Sequence, residues 1–256
     1  MGRPGGRRIE REFGVPIPGE LREPAEWTKT ALHRLPAGHC DWPAIFGRSA
    51  PVMLDIGCGN GRSTLSSAVL RPGFDHLATD VLPVVIRYAT RRGNQRGLTN
   101  VRFAVCDGLG LLETHIAPHS VREIHVYHPQ PYYDPAEYPK RLVAPRFLAA
   151  AHRALEPAGV LILQTDHPAY WKYMTEVVPG FFDLTPQEKP WPDAPRGRTR
   201  REIIALRSGL PVFRGTARPR TLSDAEIAAR VTSLPAPTFE ADRSLAALDA
   251  KEAEQE

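Results

Sequence analysis

The sequence predicts a doubly wound α/β fold built on a mostly parallel sheet. Five short apolar segments are typical of buried strands, and they lie at 51–57, 76–81, 101–105, 121–127 and 159–166. Helical patterns separate most of these segments, at 62–70, 83–94 and 141–157. Strands that alternate with helices pair in parallel through right-handed crossover connections. The chain has 256 residues and is 42% hydrophobic, so one such domain has enough apolar side chains to bury a core.

The first strand is predicted from a change in composition near residue 51. Residues 1–50 are rich in proline and glycine, which predicts an N-terminal extension that docks on the core and contains one short helix near 24–34. The segment 51–57 is an apolar run that ends in glycine, as in strands buried on both faces. The helix at 62–70 and the strand at 76–81 then complete the first unit of the α/β pattern.

The later elements continue this alternation. Pro83 lies in the first turn of the second helix, where a missing N–H is tolerated. The third helix carries apolar residues at 142, 143, 147, 148, 151 and 155. The segment 212–218 predicts a late edge strand, and 223–231 predicts a capped helix. We therefore expect an extension at 1–50, a core domain at 51–220 and a helical, acidic tail at 221–256.

Charge and cysteine content limit the classes of partner. The net charge is +4, and residues 196–220 carry eight arginines against one acid, which favours a phosphate-bearing partner; a solvated face is the alternative.

Three cysteines without a CxxC pair argue against a disulfide framework and a structural zinc site, and they are compatible with a reducing cytosol. No apolar run approaches the ~18 residues of a membrane span. We expect a cytoplasmic protein with no secretory signal, no membrane partner and no metal ion.

A glycine-rich loop joins the first strand to the first helix. Its spacing is acid-x-G-x-G-x-G, with Asp55, Gly57, Gly59 and Gly61 at the defined positions. Glycines allow a tight turn and a close approach of a ligand to the backbone. The dinucleotide fingerprint G-x-G-x-x-G fails because Arg62 stands where its third glycine belongs. The loop resembles motif I of the S-adenosylmethionine-dependent methyltransferases, although a plain turn is the alternative for any single glycine loop.

Two further acids support that resemblance. Asp80 ends the second strand, where a carboxylate accepts hydrogen bonds from both ribose hydroxyls of a nucleoside cofactor. Asp107 follows the third strand, beside the expected position of the adenine amino group. Asp55 can meet the cationic amino group of a methionine moiety directly or through water. Acids at these strand ends form a crevice at the topological switch point, so we expect S-adenosyl-L-methionine as the cofactor.

Several short motifs follow the fourth strand in a fixed order: H-P-Q-P-Y at 128–132, K-R-L at 140–142, P-R-F-L at 145–148, T-D-x-x-x-Y-x-x-x-M at 165–174 and T-x-x-E at 199–202. Their order resembles that of the tRNA (guanine-N7)-methyltransferases. That family carries F-P-D-P-W, a basic run ending in R-R-L, then P-x-F-L, T-D-x-x-x-Y-x-x-x-M and T-x-x-E. The resemblance covers roughly residues 51–218.

The resemblance implies a class I, Rossmann-like methyltransferase domain that forms N7-methylguanosine in tRNA. It implies catalytic roles for Gln130 and Asp166, and tRNA-binding roles for Tyr132, Lys140, Arg141, Asp166, Thr199 and Glu202. Simpler roles stay open, because Asp166 can cap the next helix and Glu202 can be an exposed acid paired with an arginine. Tyr132 and Tyr133 either belong to the core or form a base-stacking wall, which we favour in a proline-rich loop. The oligomeric state stays open, with a monomer favoured.

The acceptor segment departs from the family in two ways. Gln130 replaces the family's aspartate, and an acidic segment at 134–139 replaces its basic run. These departures keep two alternatives open: a methyltransferase of the same fold that acts on another base or a small molecule, and a non-catalytic RNA-binding relative. The intact glycine loop with Asp80 argues against the second alternative, because a binding module needs no cofactor crevice. His119, His125 and His128 lack the spacing of metal ligands, so we expect them to be structural or solvated.

Overall fold

The computed structural model describes residues 8–246, and its central seven-stranded sheet confirms the predicted doubly wound α/β fold. Residues 1–7 and the end of the predicted acidic tail, 247–256, lie outside the described residues. The strands in chain order are β1 (Arg11–Glu12), β2 (Val15–Pro16), β3 (Val52–Ile56), β4 (Asp75–Asp80), β5 (Val101–Val105), β6 (Val121–Tyr127), β7 (Leu155–Thr165), β8 (Phe182–Pro186) and β9 (Phe213–Pro219). Strands β1 and β2 form a hairpin, and the others form the central sheet.

Helices cover both faces of the central sheet. In chain order they are α1 (Trp42–Phe46), α2 (Arg62–Leu70), α3 (Pro83–Gln95), α4 (Gly108–Gly110), α5 (Pro145–Ala154), α6 (Pro168–Val177), α7 (Arg200–Arg207) and α8 (Asp224–Ser233). Helices α2 and α3 bury Leu65 and Ala89 in a small apolar cluster against one face. Helices α5 and α6 bury Phe147 and Met174 in the main core against the other face, where they meet Leu54 of β3. The alternating side chains of the strands therefore supply two cores.

The strand order places a crevice beside β3. The sheet runs β5-β4-β3-β6-β7-β9-β8, so the chain adds strands on one side of β3 and then returns to add strands on the other. Strands β3 to β7 pair in parallel, and their carboxyl ends share one edge of the sheet. The connections after β3 and β6 leave this edge in opposite directions, and the gap between them is where ligands bind in such folds.

Buried ion pairs attach the described part of the N-terminal extension to the core. Glu10 pairs with Arg92 and Arg96 at 3.2 and 2.8 Å. Glu12 pairs with Arg62 and Arg92 at 3.3 and 3.0 Å. All three arginines are almost fully buried. Because removing either carboxylate would leave buried charge without a partner, the hairpin is an integral part of the folded domain.

The helix predicted near 24–34 is wrong. Only Pro24–Glu26 form a helical turn, and it is a single 3-10 turn. The chain then runs beside the edge of β5, where the N–H of Phe103 donates to the carbonyl of Thr30 and the N–H of Leu32 donates to the carbonyl of Phe103, both at 2.8 Å. The open edge of the sheet thus takes backbone hydrogen bonds that a helix would have made within itself.

Three other elements differ from the sequence prediction or refine it. The third predicted helix begins only at Pro145, because a residue that precedes proline avoids helical dihedral angles. This helix ends at Ala154, and β7 begins with the next residue, Leu155. The strand predicted at 212–218 is confirmed as β9, but β8, which the sequence did not predict, occupies the sheet edge. The capped helix is confirmed as α8, where Ser223 and Glu226 form a reciprocal capping box.

Candidate active site

A cleft of about 670 Å³ lies at the carboxyl ends of β3, β4 and β6. Ten of the predicted site residues line it: Asp55, Gly57, Gly59, Asp80, Asp107, Gln130, Tyr132, Lys140, Arg141 and Thr199. The predicted cofactor loop and the predicted acceptor loop therefore face one shared space. Three predicted residues, Gly61, Asp166 and Glu202, lie outside its lining.

The glycines of the first loop serve two different purposes. Gly57, Gly59 and Gly61 all have positive φ angles, at 75°, 50° and 76°, which side chains rarely tolerate. A Cβ atom added to Gly57 would meet no atom of the described residues within 4 Å, so open space for a ligand adjoins this backbone. A Cβ atom on Gly61 would lie 2.8 Å from Cβ of Ala89 and 3.2 Å from the ring of Phe103. Gly61 therefore permits close helix packing, whereas Gly57 leaves room for a cofactor.

Asp55 presents a buried oxygen to the cleft. The residue is 1% exposed, and its Oδ2 accepts a hydrogen bond from the hydroxyl of Thr64 at 2.5 Å. Its Oδ1 has no hydrogen-bond partner among the described residues. Burial raises the pKa of Asp55, and the hydrogen bond from Thr64 opposes that rise. A cationic amino group beside Oδ1 would satisfy the oxygen and favour its ionised form, so the site fits the methionine end of S-adenosylmethionine.

Asp80 is fixed by the backbone on both sides of its carboxylate. Its Oδ2 accepts from the N–H of Gly59, and its Oδ1 accepts from the N–H of Leu82, both at 3.0 Å. Each oxygen keeps a further lone pair, as a ribose diol requires. Val81 and Leu82, directly after it, are 59% and 51% exposed, and both border the cleft. Asp107 also borders the cleft, where its Oδ1 caps a short helix by accepting from the N–H of Gly110 at 2.7 Å.

The acceptor loop after β6 has a strained backbone that Arg141 anchors. His128 and Tyr132 have φ angles of 49° and 41°, in the left-handed region. Arg141 donates to the carbonyls of Pro131 and Tyr132 and to those of Pro237 and Phe239, so four of its five N–H groups are engaged. Its guanidinium is stacked between two rings, Tyr138 and Phe239, at 3.7 and 3.8 Å. The structure gives Arg141 an anchoring role that the sequence did not predict.

The side chains on the rim of the acceptor loop are more accessible. Gln130 is exposed and makes no hydrogen bond within the described part of the chain. Lys140 is exposed, donates to Glu137 at 3.0 Å and lies 5.9 Å from the ring centroid of Tyr132. Asp134 caps the turn that carries Lys140 by accepting from the N–H of Ala136. The acidic segment at 134–139 thus shapes the rim, and Gln130 points a free amide at the cleft.

Asp166 does not cap the next helix. That cap is His167, whose Nδ1 accepts from the N–H of Tyr170 at 3.3 Å. Asp166 instead contacts Nδ1 of His128 at 3.0 Å and accepts from Nε of Arg201 at 2.7 Å. Burial alone would raise the pKa of Asp166, but the hydrogen bonds from His128 and Arg201 and the positive charge of Arg201 hold it well below its usual range. Asp166 lies behind the acceptor loop, so it supports the loop from beneath.

Glu202 is fully buried, so the alternative of an exposed acid is wrong. Its Oε1 accepts from Arg214 at 2.8 Å, and its Oε2 accepts from the backbone N–H of Arg198 at 2.7 Å. The hydroxyl of Thr199 accepts from the N–H of Glu202 at 3.0 Å and caps helix α7. The T-x-x-E motif therefore fixes the first turn of α7, and this turn presents Thr199, Arg200 and Arg201 to the cleft.

The arginine-rich stretch at 196–220 is not one phosphate-binding patch. Arg201 and Arg214 are buried in ion pairs with Asp166 and Glu202. Arg198 donates to the hydroxyl of Tyr127 and to Asp193. Four members remain exposed: Arg196, Arg207, Arg218 and Arg220. Three of the eight arginines, Arg198, Arg201 and Arg214, therefore pair within the protein, so neither a phosphate-binding role nor a solvated face describes the whole stretch.

Several residues of the site carried no sequence signal. Gln164 contacts His128 of the acceptor loop and Trp191 contacts Gln164, yet both residues are distant from that loop along the chain. Phe239 covers Arg141 from the segment at 221–256, which we predicted to be a helical, acidic tail. Within the described residues, no group of histidine, cysteine and acidic side chains could hold a metal ion, and no helix there is long and apolar enough to cross a membrane.

Comparison with known sequences identifies similar enzymes. A family model described as "Putative methyltransferase" matches residues 49–214. The tRNA (guanine-N(7)-)-methyltransferase of Burkholderia vietnamiensis (strain G4 / LMG 22486) is 35% identical over 176 residues, which are 68% of this chain and 69% of the relative. The protein of the same name from Alkalilimnicola ehrlichii is 34% identical over 191 residues, or 73% and 81% of the two chains.

Comparison with solved structures supports the fold. The 16S rRNA methyltransferase KamB superposes with a TM-score of 0.57 at 15% identity, over 76% of this chain and 100% of that chain. The antibiotic-resistance methyltransferase Kmr superposes with a TM-score of 0.50 at 20% identity, over 72% and 93% of the two chains. These likenesses confirm the doubly wound fold of the class I methyltransferases.

Proposed function

The chain belongs to the tRNA (guanine-N(7)-)-methyltransferase family, and from that premise we propose that it transfers a methyl group from S-adenosylmethionine to N7 of a guanine in tRNA. The observation that carries the proposal is the shared cleft. The same cleft is lined by Asp55, whose Oδ1 is unsatisfied among the described residues, by the fixed carboxylate of Asp80 and by Gln130.

The half of the cleft near the glycine loop needs only to bind S-adenosylmethionine and to orient its methyl group. Asp55 would hold the methionine amino group, Asp80 would accept from the ribose hydroxyls, and Asp107 would bind the adenine end beside Val81 and Leu82, all of which line the cleft. When bound, S-adenosylmethionine supplies a methyl group on a sulfonium. A nucleophile attacks the methyl carbon in line, and the sulfur leaves as a thioether. The glycine backbone at Gly57 leaves space for this close approach.

The acceptor half requires no general base. Guanine N7 carries a lone pair and no proton, so the new N7–carbon bond forms as the sulfur–carbon bond breaks, and the leaving sulfur keeps the bonding electrons. The protein then contributes positioning and offsets the positive charge that develops on the purine. Gln130 can accept a hydrogen bond from N1–H or N2–H of the guanine through its amide oxygen.

The uncharged amide of Gln130 sets a limit on this stabilisation. Hydrogen bonds to a charged group contribute about 1.5–3 kcal/mol, against about 1 kcal/mol for neutral pairs. The difference of about 1–2 kcal/mol corresponds to roughly ten-fold in rate. We therefore infer a working enzyme that is slower than one with a carboxylate at this position. Lys140 and Tyr132, at the rim, are the side chains we assign to the RNA backbone and to base stacking.

We also infer the setting in which the protein acts. All three cysteines are free, which supports a reducing compartment and a cytoplasmic location. We propose a monomer that binds tRNA through the rim of the cleft, with residues 51–220 as the methyltransferase domain.

The test is to identify the methylated nucleoside. The full-length protein is incubated with isotopically labelled S-adenosylmethionine and unmodified tRNA, the RNA is digested, and the nucleosides are separated by mass spectrometry. We expect labelled N7-methylguanosine. Label in another nucleoside would support a methyltransferase that acts on another base. Methylation of small molecules without any label in tRNA would support the small-molecule alternative. No methyl transfer at all would contradict the proposed function and each of these alternatives.

A further inference from the structure

A chain of buried hydrogen bonds ties the acceptor loop to the sheet. The indole N–H of Trp191 donates to the side-chain carbonyl of Gln164 at 2.6 Å, and the amide nitrogen of Gln164 lies 2.9 Å from Nε2 of His128. Nδ1 of His128 lies 3.0 Å from Oδ1 of Asp166, and Oδ2 of Asp166 accepts from Nε of Arg201 at 2.7 Å. We name this chain of five side chains, from Trp191 to Arg201, the acceptor relay.

The two ends of the acceptor relay determine the direction of every hydrogen bond in it. An indole and a guanidinium can only donate. Gln164 therefore turns its carbonyl to Trp191 and its N–H to His128, so Nε2 of His128 must accept. The proton of the neutral imidazole then lies on Nδ1, which donates to Asp166. The His128 side chain is only 6% exposed, so water does not compete for these bonds.

The acceptor relay acts on the loop at its first residue. His128 adopts a φ of 49°, a conformation that is costly without glycine and persists only where the surroundings hold it. Pro129 and Gln130 follow directly. Gln130 lines one small recess together with His128, Asp166 and Arg201. The orientation of the His128 backbone therefore determines where the Gln130 amide stands in the cleft.

We propose that His128 is a positioning residue for methyl transfer: as its Nδ1–H tautomer it couples Gln164 to Asp166 and thereby holds Gln130 at the acceptor. The inference rests on the proposed function. It adds that a buried histidine, which does not touch the methyl group, determines the rate of methyl transfer without changing the affinity for the cofactor.

The first test reads the tautomer and needs no substrate. Long-range ¹H–¹⁵N NMR correlations report which imidazole nitrogen carries a proton, and the His128 signals are those lost in His128→Phe. We expect a protonated Nδ1 and a bare Nε2 in the wild type. In Gln164→Glu both carboxylate oxygens can only accept, so Nε2 should gain a proton while Nδ1 keeps the proton that it donates to Asp166. A wild-type proton on Nε2, or an unchanged pattern in Gln164→Glu, would overturn the inference.

The second test separates positioning from folding and from binding. His128→Phe keeps a ring and removes both nitrogens, and we expect the single-turnover rate on tRNA to fall between about ten-fold and a hundred-fold. The affinity for S-adenosylmethionine and the KM for tRNA should stay within about two-fold of wild type. His128→Asn places an amide N–H where Nδ1–H was and should restore part of the rate.

A matched control exists at the other end of the sheet. His119 also has a left-handed backbone, with φ of 52°, and lies in the loop before β6, away from the cleft. His119→Phe should leave the rate unchanged. A His128→Phe rate within about two-fold of wild type, or an equal loss in His119→Phe, would contradict the role of His128. A wild type that makes no N7-methylguanosine would instead contradict the proposed function, and the NMR result would stand independently.

Discussion

Asp80 is the residue on which cofactor affinity depends most directly. Its carboxylate is fixed by two backbone N–H groups and keeps lone pairs for a ribose diol. We expect Asp80→Ala to weaken S-adenosylmethionine binding by about 2 kcal/mol or more, because charged hydrogen bonds are lost. Isothermal titration calorimetry measures this change. Asp183→Ala, at a 78% exposed acid on β8, should bind like the wild type. Equal affinities for wild type and Asp80→Ala would remove Asp80 from the cofactor site.

Gln130 tests the electrostatic part of the mechanism. Because the side chain is exposed and makes no hydrogen bond in the described part of the chain, a carboxylate can replace it without breaking a contact. Gln130→Asp should raise the single-turnover rate on tRNA by at most about ten-fold, and Gln130→Ala should lower it. The aspartate is one methylene shorter, so the gain is expected to be partial. A rate for Gln130→Asp clearly below that of the wild type would count against guanine N7 as the acceptor.

At the residue scale, the sequence predicted site residues that belong to one local motif, but it did not predict contacts between residues far apart along the chain. Asp55 and Asp80 lie in the last residues of β3 and β4, and Gly57 directly follows β3, so the alternation of strands and helices predicted their shared position at the switch point. The sequence predicted a role for Asp166 in the site, but it did not predict the contacts of Asp166 with His128 and Arg201. His128 lies in the loop after β6 and Arg201 in the first turn of α7, so no spacing within one segment of the sequence indicates these two contacts.

Helix α7 is held at its first turn by the buried pair of Glu202 and Arg214. Glu202→Ala leaves Arg214 buried without its partner, so the free energy of unfolding should fall by about 3–5 kcal/mol. The double variant Glu202→Leu/Arg214→Met removes both charges and should recover much of this loss. Urea unfolding of the single and double variants measures both effects. A stable Glu202→Ala protein that only loses tRNA affinity would restore Glu202 to the substrate site.

At the element scale, hydrophobic pattern predicted the inner strands and missed the edge. The strands from β3 to β7 are apolar runs buried between two helical layers, and that burial produces a strong signal. Strand β8 has only Phe182 fully buried, and its outer residues are exposed. An edge strand with one buried side chain resembles a loop in sequence. The same weakness explains the wrong helix near 24–34, where pairing with β5 overrode local preference.

The stability of the whole molecule should depend on pH through His76. Its ring is fully buried and satisfied by Ser67 and by the carbonyl of Asn100, and burial lowers its pKa from 6.5 to about 4. Between these values the unfolded chain binds a proton that the folded protein does not, so stability rises with pH and is lost on acidification. The free energy of unfolding should fall by about 3 kcal/mol from pH 7 to pH 4 on this account. Urea unfolding of His76→Gln should show a flatter pH dependence than the wild type, and an equal slope would contradict the assignment.

Binding of tRNA should depend on the arginines at the mouth of the cleft and not on the whole basic stretch. Arg200 lies on the cleft wall at the start of α7, whereas Arg218 lies near the far end of β9, beside the amino end of β7. Arg200→Gln should reduce the slope of log affinity against log salt by roughly one unit, because one phosphate contact is lost. Arg218→Gln should leave the slope unchanged. Equal slopes for all three proteins would show that Arg200 contacts no phosphate.

The most direct test of the whole account compares two tRNA transcripts that differ only at N7. One contains guanosine, and the other contains 7-deazaguanosine, in which a C–H group replaces N7 and leaves no lone pair to attack the methyl group. Methyl transfer from labelled S-adenosylmethionine is followed in both, with filter binding to show that the two RNAs bind alike. The account predicts N7-methylguanosine in the first transcript and no transfer to the second. Equal transfer to both transcripts would contradict it, because the methyl group would then be placed on an atom other than N7.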